Sequence, residues 1–265
     1  MHPQFGDYPA HLVGWLLAGL LGGGTAVWLM YRAGLSEYQI AVAFYARLIA
    51  LLVGSKLLYL FEAWPAWATD PANVVAALFS EQLRLPGGLL LMVATGPFIA
   101  RATGVRYLAL ADVIAPAGGL LILGIRVGCF LQGCCHGTPS GLPWAVRFPP
   151  SSDAYLWQLE EHLIPVGAPL GAAVHPLQLY FAAVGLLLFI GLTVYQHRKR
   201  YEGEILLWFG LCYLWSSWML EFFRARPHAA TQELTLLAAV ALTTTAGAIE
   251  WRRRRTRVAP AIARP

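Results

Sequence analysis

Charge is what this chain of 265 residues has least of: Asp, Glu, Lys and Arg together make up 12% of it, against 58% apolar residues. A soluble domain carries about 25% charged residues, so this composition argues against an ordinary water-soluble protein. No internal repeat, low-complexity tract or separate polar domain interrupts the chain. Met1–His11 lacks the basic start of a cleavable signal, so the first apolar run is expected to stay in the mature protein. Cysteine is scarce too, with four in the chain and no C-x-x-C pair.

What is present is a series of long apolar runs. About 20 residues of helix cross about 30 Å of hydrocarbon. Leu12–Tyr31, Ile40–Glu62, Arg84–Ala100, Tyr107–Cys134, His175–His197, Ile205–Phe222 and Glu233–Glu250 are the candidates. The spacing predicts an all-α polytopic membrane protein with seven transmembrane helices, one integral domain over residues 1–265. Pro116, Gly118 and Gly119 interrupt the fourth run, which is expected to be kinked or partly re-entrant.

Basic residues in short loops mark the cytoplasmic side. Arg32, Arg101 with Arg106, Arg198-Lys199-Arg200 and the Arg252–Arg257 tail fall together on one side. The C-terminus is therefore expected inside. The N-terminus, the 63–83 loop, the 138–174 loop and the 223–232 loop are expected outside. The net charge of +5 reads as this asymmetry, not as a nucleic-acid surface.

An ionisable side chain inside a span is costly and is a functional candidate by default. Arg47 and Lys56 lie in the second run, Asp112 and Arg126 in the fourth, Glu221 near the end of the sixth. Helix-locking pairs of Arg47 or Lys56 with Asp112 or Glu62 are one reading. Arg126, His175, Glu221 and Arg224 differ, because all four fall at the outer ends of their spans. Their convergence suggests an anion site, and a guanidinium suits a phosphate because it binds two oxygens at once. Gly87, Gly88, Gly118, Gly119, Gly124, Gly128 and Gly133 leave room for a central, outward-opening cavity, with a lipid as the available guest.

The stretch RVGCFLQGCCHGTP, residues 126–139, adds Cys129, Cys134, Cys135 and His136 at this end. A metal site is not expected, since adjacent cysteines rarely close a tetrahedral site without strain. Two readings stay open: a disulfide from Cys129 to Cys134 or Cys135, and a reactive thiolate activated by Arg126 and His136. Cys212, in mid-span, reads as packing. His175 before Pro176 either caps a helix or serves the site, with Gln178 and Tyr180 shaping the cavity wall. Trp64, Trp67, Trp144, Tyr155 and Trp157 fit a membrane-interface belt. Ser151–His162 reads as an amphipathic helix on the outer surface, a lid or docking arm.

Four ordered motifs resemble the bacterial prolipoprotein diacylglyceryl transferase family. Asp112-Val113-Ile114-Ala115-Pro116 is similar to its D-x-I-A-P, and Arg126, Gly128, Phe130 and Gly133 follow its G-R-x-G-N-F-x-N-G-E. His175-Pro176-Leu177-Gln178-Leu179-Tyr180 matches its H-P-x-Q-L-Y, and Glu221-Phe222-Phe223-Arg224 its E-F-F-R. The resemblance implies a seven-span bacterial inner-membrane enzyme. Such an enzyme moves diacylglyceryl from phosphatidylglycerol to a lipobox cysteine, with no metal or diffusible cofactor. Arg126, His175, Glu221 and Cys129 are then the catalytic candidates. Arg224, Gln178, Tyr180, Gly128, Gly133 and Lys56 are the substrate-binding ones, and Cys134, Cys135 and His136 form a possible thiol cluster. A monomer meeting phosphatidylglycerol or another anionic phospholipid, and a lipobox-bearing protein, is the implied assembly.

The chain departs from the family pattern at several positions. Cys129 and Cys134 stand where the family has asparagine and glutamate, and Gln132 replaces its second asparagine. Pro86 replaces its histidine, Ser217 an arginine of the sixth span, Phe181 the glutamate after H-P-x-Q-L-Y, and Lys56 a second-span arginine. The alternative function is a thiol-dependent redox or lipid-binding membrane protein on the same fold.

Overall fold

A computed structural model describes residues 4–5, 8–64, 74–75, 78, 85–226 and 229–258. Trp67, Arg84, most of the 63–83 loop and residues 259–265 lie outside the described residues. Apart from a two-residue ladder of Gln4–Phe5 with Tyr8–Pro9 and a few isolated bridges, the regular structure among the described residues is helical. The protein is a polytopic helical membrane protein. Leu12–Arg32, Glu37–Glu62, Tyr107–Gln132, Leu177–Arg198 and Gln232–Glu250 are each long and apolar enough to span.

Helix α1 (Ala10–Leu17) runs through a π-helical turn, Ala18–Gly23, into α2 (Gly24–Arg32). Helix α3 (Glu37–Glu62) starts on a capping box, in which Ser36 Oγ accepts from the Gln39 N–H and Gln39 Oε1 accepts from the Ser36 N–H. The expected third span is two shorter helices, α4 (Leu85–Ala94) and α5 (Gly96–Thr103). The break falls at Thr95, just before Pro97, which has no N–H to continue the ladder. Helix α6 (Tyr107–Gln132), in contrast, stays helical through Pro116, Gly118 and Gly119. Helices α7 (Asp153–Glu160), α8 (Leu177–Tyr195), α9 (Glu204–Glu221) and α10 (Ala229–Val258) follow. Helix α9 is absent from the five because tryptophans, serines and two terminal glutamates dilute its 18 residues.

The chain forms two compact units. One is Val27–Ala111. Within it α3 and α4 touch backbone to backbone: a Cβ on Gly87 would lie 2.3 Å from the Gly54 carbonyl oxygen, and one on Gly88 2.4 Å from that of Leu51. The Pro86-Gly87-Gly88 step thus seats one helix on another. Arg47 is buried there and donates Nη1 to the Ala43 carbonyl at 3.1 Å, while Nη2 has no hydrogen-bond partner among the described residues. Lys56 lies over the Tyr59 ring at 5.4 Å.

The other unit is Met1–Ala26 with Asp112–Pro265. Its first helix lies directly on α6, since a Cβ on Gly14 would come 2.6 Å from the Gly128 Cα and one on Gly124 2.4 Å from the Ala18 nitrogen. Gly119 and Gly185 meet in the same way between α6 and α8. Asp112 is fully buried. It accepts the N–H groups of Gly203, Ile205 and Leu206 at 2.8, 3.0 and 3.1 Å, with Lys199 Nζ at 3.5 Å. Asp112 therefore anchors the start of α9, so the expected pair with Arg47 or Lys56 gives way to this one. At the same end Arg200 pairs with Glu204 at 2.8 Å and with Glu250 at 3.3 Å.

The 138–174 segment has a small core of its own, Phe148, Ala154 and Val174. Helix α7 begins on a Ser152 cap, whose Oγ accepts from the Tyr155 N–H. It packs inward instead of lying free on a surface. Gln158 is fully buried, accepting from the Ala172 N–H at 2.6 Å and donating to its carbonyl at 3.2 Å. Tyr155 and Trp157 are buried at 5% and 8% exposure, which corrects their assignment to an interface belt; Trp64 and Trp144 are exposed.

Candidate functional site

Helix α6 ends where Gly133 takes a φ of +79°, the left-handed turn that glycine adopts freely after a helix. Two residues on, Cys135 takes a φ of +56°, a region that side chains with a Cβ seldom occupy. This second turn folds the chain back on the helix end. The Sγ atoms of Cys129, Cys134 and Cys135 thereby lie within 4.8 Å of one another. All three are free thiols; Cys135 is exposed and the other two half-buried.

The segment after the cysteines is stitched to two other motifs. The Gly137 N–H donates to the His175 carbonyl at 3.0 Å, and the His175 N–H donates to the Thr138 carbonyl at 3.0 Å. Thr138 donates to the Phe223 carbonyl at 2.8 Å and Ala225 to that of His136 at 3.3 Å. Buried Gln178 donates to the Cys134 carbonyl at 2.6 Å. The C-terminal ends of α6 and α9 and the N-terminal end of α8 therefore close into one clasp. Gly137 sits at its centre, where a Cβ would come 2.6 Å from the His175 Cβ and 2.7 Å from the Phe223 carbonyl oxygen. Gly137→Val is expected to open the clasp, destabilising the protein by about 1–3 kcal/mol through overpacking. Thermal unfolding of the detergent-solubilised protein measures this.

The candidate side chains take distinct places around the clasp. The Arg126 guanidinium lies 4.1 Å from the centroid of the Phe181 ring, and no carboxylate pairs with it among the described residues. Phe181 offers the guanidinium an aromatic face, a cation–π contact. Glu221 is buried, its Oε1 2.7 Å from Arg224 Nε, a close ion pair. His175 Nδ1 lies 3.2 Å from the Tyr180 hydroxyl, which accepts from Trp144 Nε1 at 2.8 Å. Gly128 faces Gly14, and Gly133 forms the helix-ending turn. Lys56 belongs to the Val27–Ala111 unit.

A cavity of about 240 Å³ opens beside the clasp, lined by Cys134, Cys135, His136, Asp153, Trp157 and Arg224 with Ala225 and Arg226. Of the four residues expected to share a cavity, Arg224 alone lines this one; Arg126, His175 and Glu221 stand outside its wall, as do Gln178 and Tyr180. Asp153, Trp157 and Arg226 were not expected here. Asp153 could have been read from its place in the first turn of a capped helix, but Trp157 is indistinguishable in sequence from an interface aromatic.

The electrostatics of the cavity follow from its neighbours. Hydrogen bonds from the Cys129 and Cys134 thiols hold the Cys135 thiol well below the usual range, helped by the charges of Arg126 and Arg224. Burial keeps His136 below its usual value and so neutral near pH 7. His136 Nδ1 is 3.1 Å from the Gly137 carbonyl, which can only accept, so Nδ1 carries the proton. Burial, and then the Cys135 charge, raise the Asp153 carboxyl. With its pKa lowered, Cys135 stays a thiolate as pH falls below the ordinary thiol range of about 8.5. Iodoacetamide at about pH 6 should therefore alkylate Cys135 and leave Cys212 unmodified, as peptide mass spectrometry can read.

Comparison with known proteins fits this arrangement. Residues 10–251 match the sequence model of the family described as "Prolipoprotein diacylglyceryl transferase". A phosphatidylglycerol–prolipoprotein diacylglyceryl transferase of Azotobacter vinelandii is 31% identical over 212 residues, covering 79% of this chain and 71% of the relative. One from Photorhabdus laumondii is 30% identical over 241 residues, 85% of this chain and 80% of the relative. One from Solidesulfovibrio magneticus is 29% identical over 226 residues, covering 80% and 79%. With its three motif-bearing helix ends joined in one clasp, the chain belongs to the prolipoprotein diacylglyceryl transferase family.

Proposed function

We infer that this protein moves a diacylglyceryl group from phosphatidylglycerol to the cysteine thiol of a prolipoprotein in the bacterial inner membrane. The observation that carries the reading is Arg126. It is a half-buried guanidinium at the outer end of α6 with an aromatic ring beneath it and no carboxylate partner among the described residues. A phosphate supplies the missing anion and accepts two hydrogen bonds from the fork. The paired Glu221 and Arg224 orient the headgroup beside it.

The reaction is a displacement at the glycerol carbon. The acceptor sulfur forms the new C–S bond, the C–O bond to phosphate breaks, and glycerol phosphate leaves with both electrons. A cysteine of this chain is a poor choice as intermediate carrier, because the thioether it would form does not leave readily. The acceptor's proton passes to water, so the transfer does not depend on Cys129 and its neighbours. Tyr180 already accepts from Trp144 and has its own proton to give to His175 Nδ1. That assignment leaves the imidazole proton on Nε2, facing the headgroup as a donor. Gln178 and Tyr180 position these groups, and Gly128 and Gly133 let the backbones close.

Seven spans in one membrane domain, with α9 and the broken α4–α5 pair completing the set, put the clasp outside and the basic C-terminus inside. The cavity opens outward to lipid, and a monomer suffices. Complementation tests the function: the chain is expected to restore growth to a cell depleted of its own diacylglyceryl transferase. Failure by well-inserted protein would leave the thiol-dependent alternative standing. A variant with Cys129, Cys134 and Cys135 all replaced by serine separates the two further, since a phosphate-site transferase retains measurable turnover and a thiol enzyme loses all of it.

A further inference from the structure

Nothing in the transfer reaction calls for three thiols in contact. We propose that Cys129, Cys134 and Cys135 form a three-coordinate thiolate site for a soft, closed-shell metal ion of the Cu(I) class. This site is independent of the transferase reading. Metal–sulfur bonds of about 2.3 Å in a trigonal plane place the sulfurs about 4.0 Å apart. The three Sγ atoms, all within 4.8 Å of one another, are already gathered to nearly that separation.

The gathering is built and not incidental. It depends on the left-handed backbone of Cys135, a conformation that costs on the order of 1–3 kcal/mol for a residue with a side chain. Packing does not repay that strain, because Cys135 is exposed. The left-handed turn also answers the objection to adjacent cysteines. It is the strain that lets Cys134 and Cys135 point at one centre, and a trigonal ion asks for no fourth ligand.

Ligand chemistry selects the ion. Among the described residues the cluster holds sulfur alone, with no carboxylate or imidazole atom inside the same radius. Zinc prefers four ligands in structural sites, whereas soft thiolates favour Cu(I). Binding forms three metal–sulfur bonds and releases the Cys129 and Cys134 thiol protons to water, with no electron transferred. The resulting complex carries two negative charges, and the Arg126 and Arg224 guanidiniums stand close enough to act on Cys135. The ion enters through the cavity of about 240 Å³ that Cys134 and Cys135 line.

The test is a titration of the full-length, reduced protein in detergent with tetrakis(acetonitrile)copper(I), in competition with bathocuproine disulfonate. One ion per chain is expected, and X-ray absorption should show three sulfur neighbours. Cys129→Ser and Cys135→Ser should each weaken binding more than tenfold, since even losing a supporting residue costs 10–100-fold at metal sites. Cys212→Ser should leave it unchanged. Equal uptake by the triple serine variant would overturn the site. Two sulfur neighbours in wild-type protein, a reading that needs no variant to fold, would overturn it as well. So would a disulfide between any two of these cysteines in protein alkylated directly in the membrane.

Discussion

Arg126→Ala is expected to reduce lipid turnover roughly thirtyfold or more while the protein stays folded and inserted. Removing one partner of a hydrogen-bonded, desolvated charge pair costs about 2–5 kcal/mol, and in the proposed function a lipid phosphate would be that partner. Arg126→Lys keeps the charge but loses the two-pronged fork, so its turnover should fall between alanine and wild type. The Phe181 ring beneath the guanidinium favours either cation, which isolates the fork as the difference between them. Release of labelled glycerol phosphate from phosphatidylglycerol measures both variants, with gel filtration in detergent as the folding control. Normal turnover in a folded Arg126→Ala protein would remove the basis for the phosphate site.

The second large effect concerns stability at the opposite end of α6. Asp112→Ala takes the acceptor from the buried Ile205 N–H and from the part-buried N–H groups of Gly203 and Leu206, and removes the partner of Lys199. Each unsatisfied buried donor costs about 1–3 kcal/mol. Lys199 is 32% exposed and stays hydrated, so losing its partner adds little. The expected loss is about 1–3 kcal/mol, seen as early fraying of α9 and a lower midpoint on thermal unfolding in detergent. Asp112→Asn keeps one acceptor oxygen and should lose less. A midpoint unchanged in the alanine variant would show that water replaces the carboxylate at no cost.

The parts of this fold that hydropathy governs were legible in the sequence. Five of the expected spans correspond to long apolar helices, while of the four residues expected to share a cavity only Arg224 lines the one beside the thiols. Other features turn on partners that sequence distance hides. The break at Thr95 comes from a single Pro97 in an apolar run that otherwise reads as continuous. Glycine behaved the other way in α6, where Gly119 and Gly124 mark close helix contacts and the helix runs on. The head between α6 and α8 was hardest to read. Its core of Phe148, Ala154 and Val174 follows no period, and α7 buries Gln158 while leaving Leu156 exposed. The gathering of the thiols depends on the Cys135 φ, which no spacing rule encodes.

The contact of the first helix with α6 has a consequence for synthesis. Gly14, Ala18 and Gly22 face Gly128, Gly124 and Leu121, about a hundred residues later in the chain. Translation at about 5–20 residues per second puts roughly 5–20 s between the emergence of the two surfaces. Through that interval the first helix stands in the bilayer with its glycine face against lipid or against the insertion machinery. A ribosome stalled before residue 121 would therefore hold a helix whose partner does not yet exist, and a crosslinker placed at Gly22 should trap whichever neighbour guards that face.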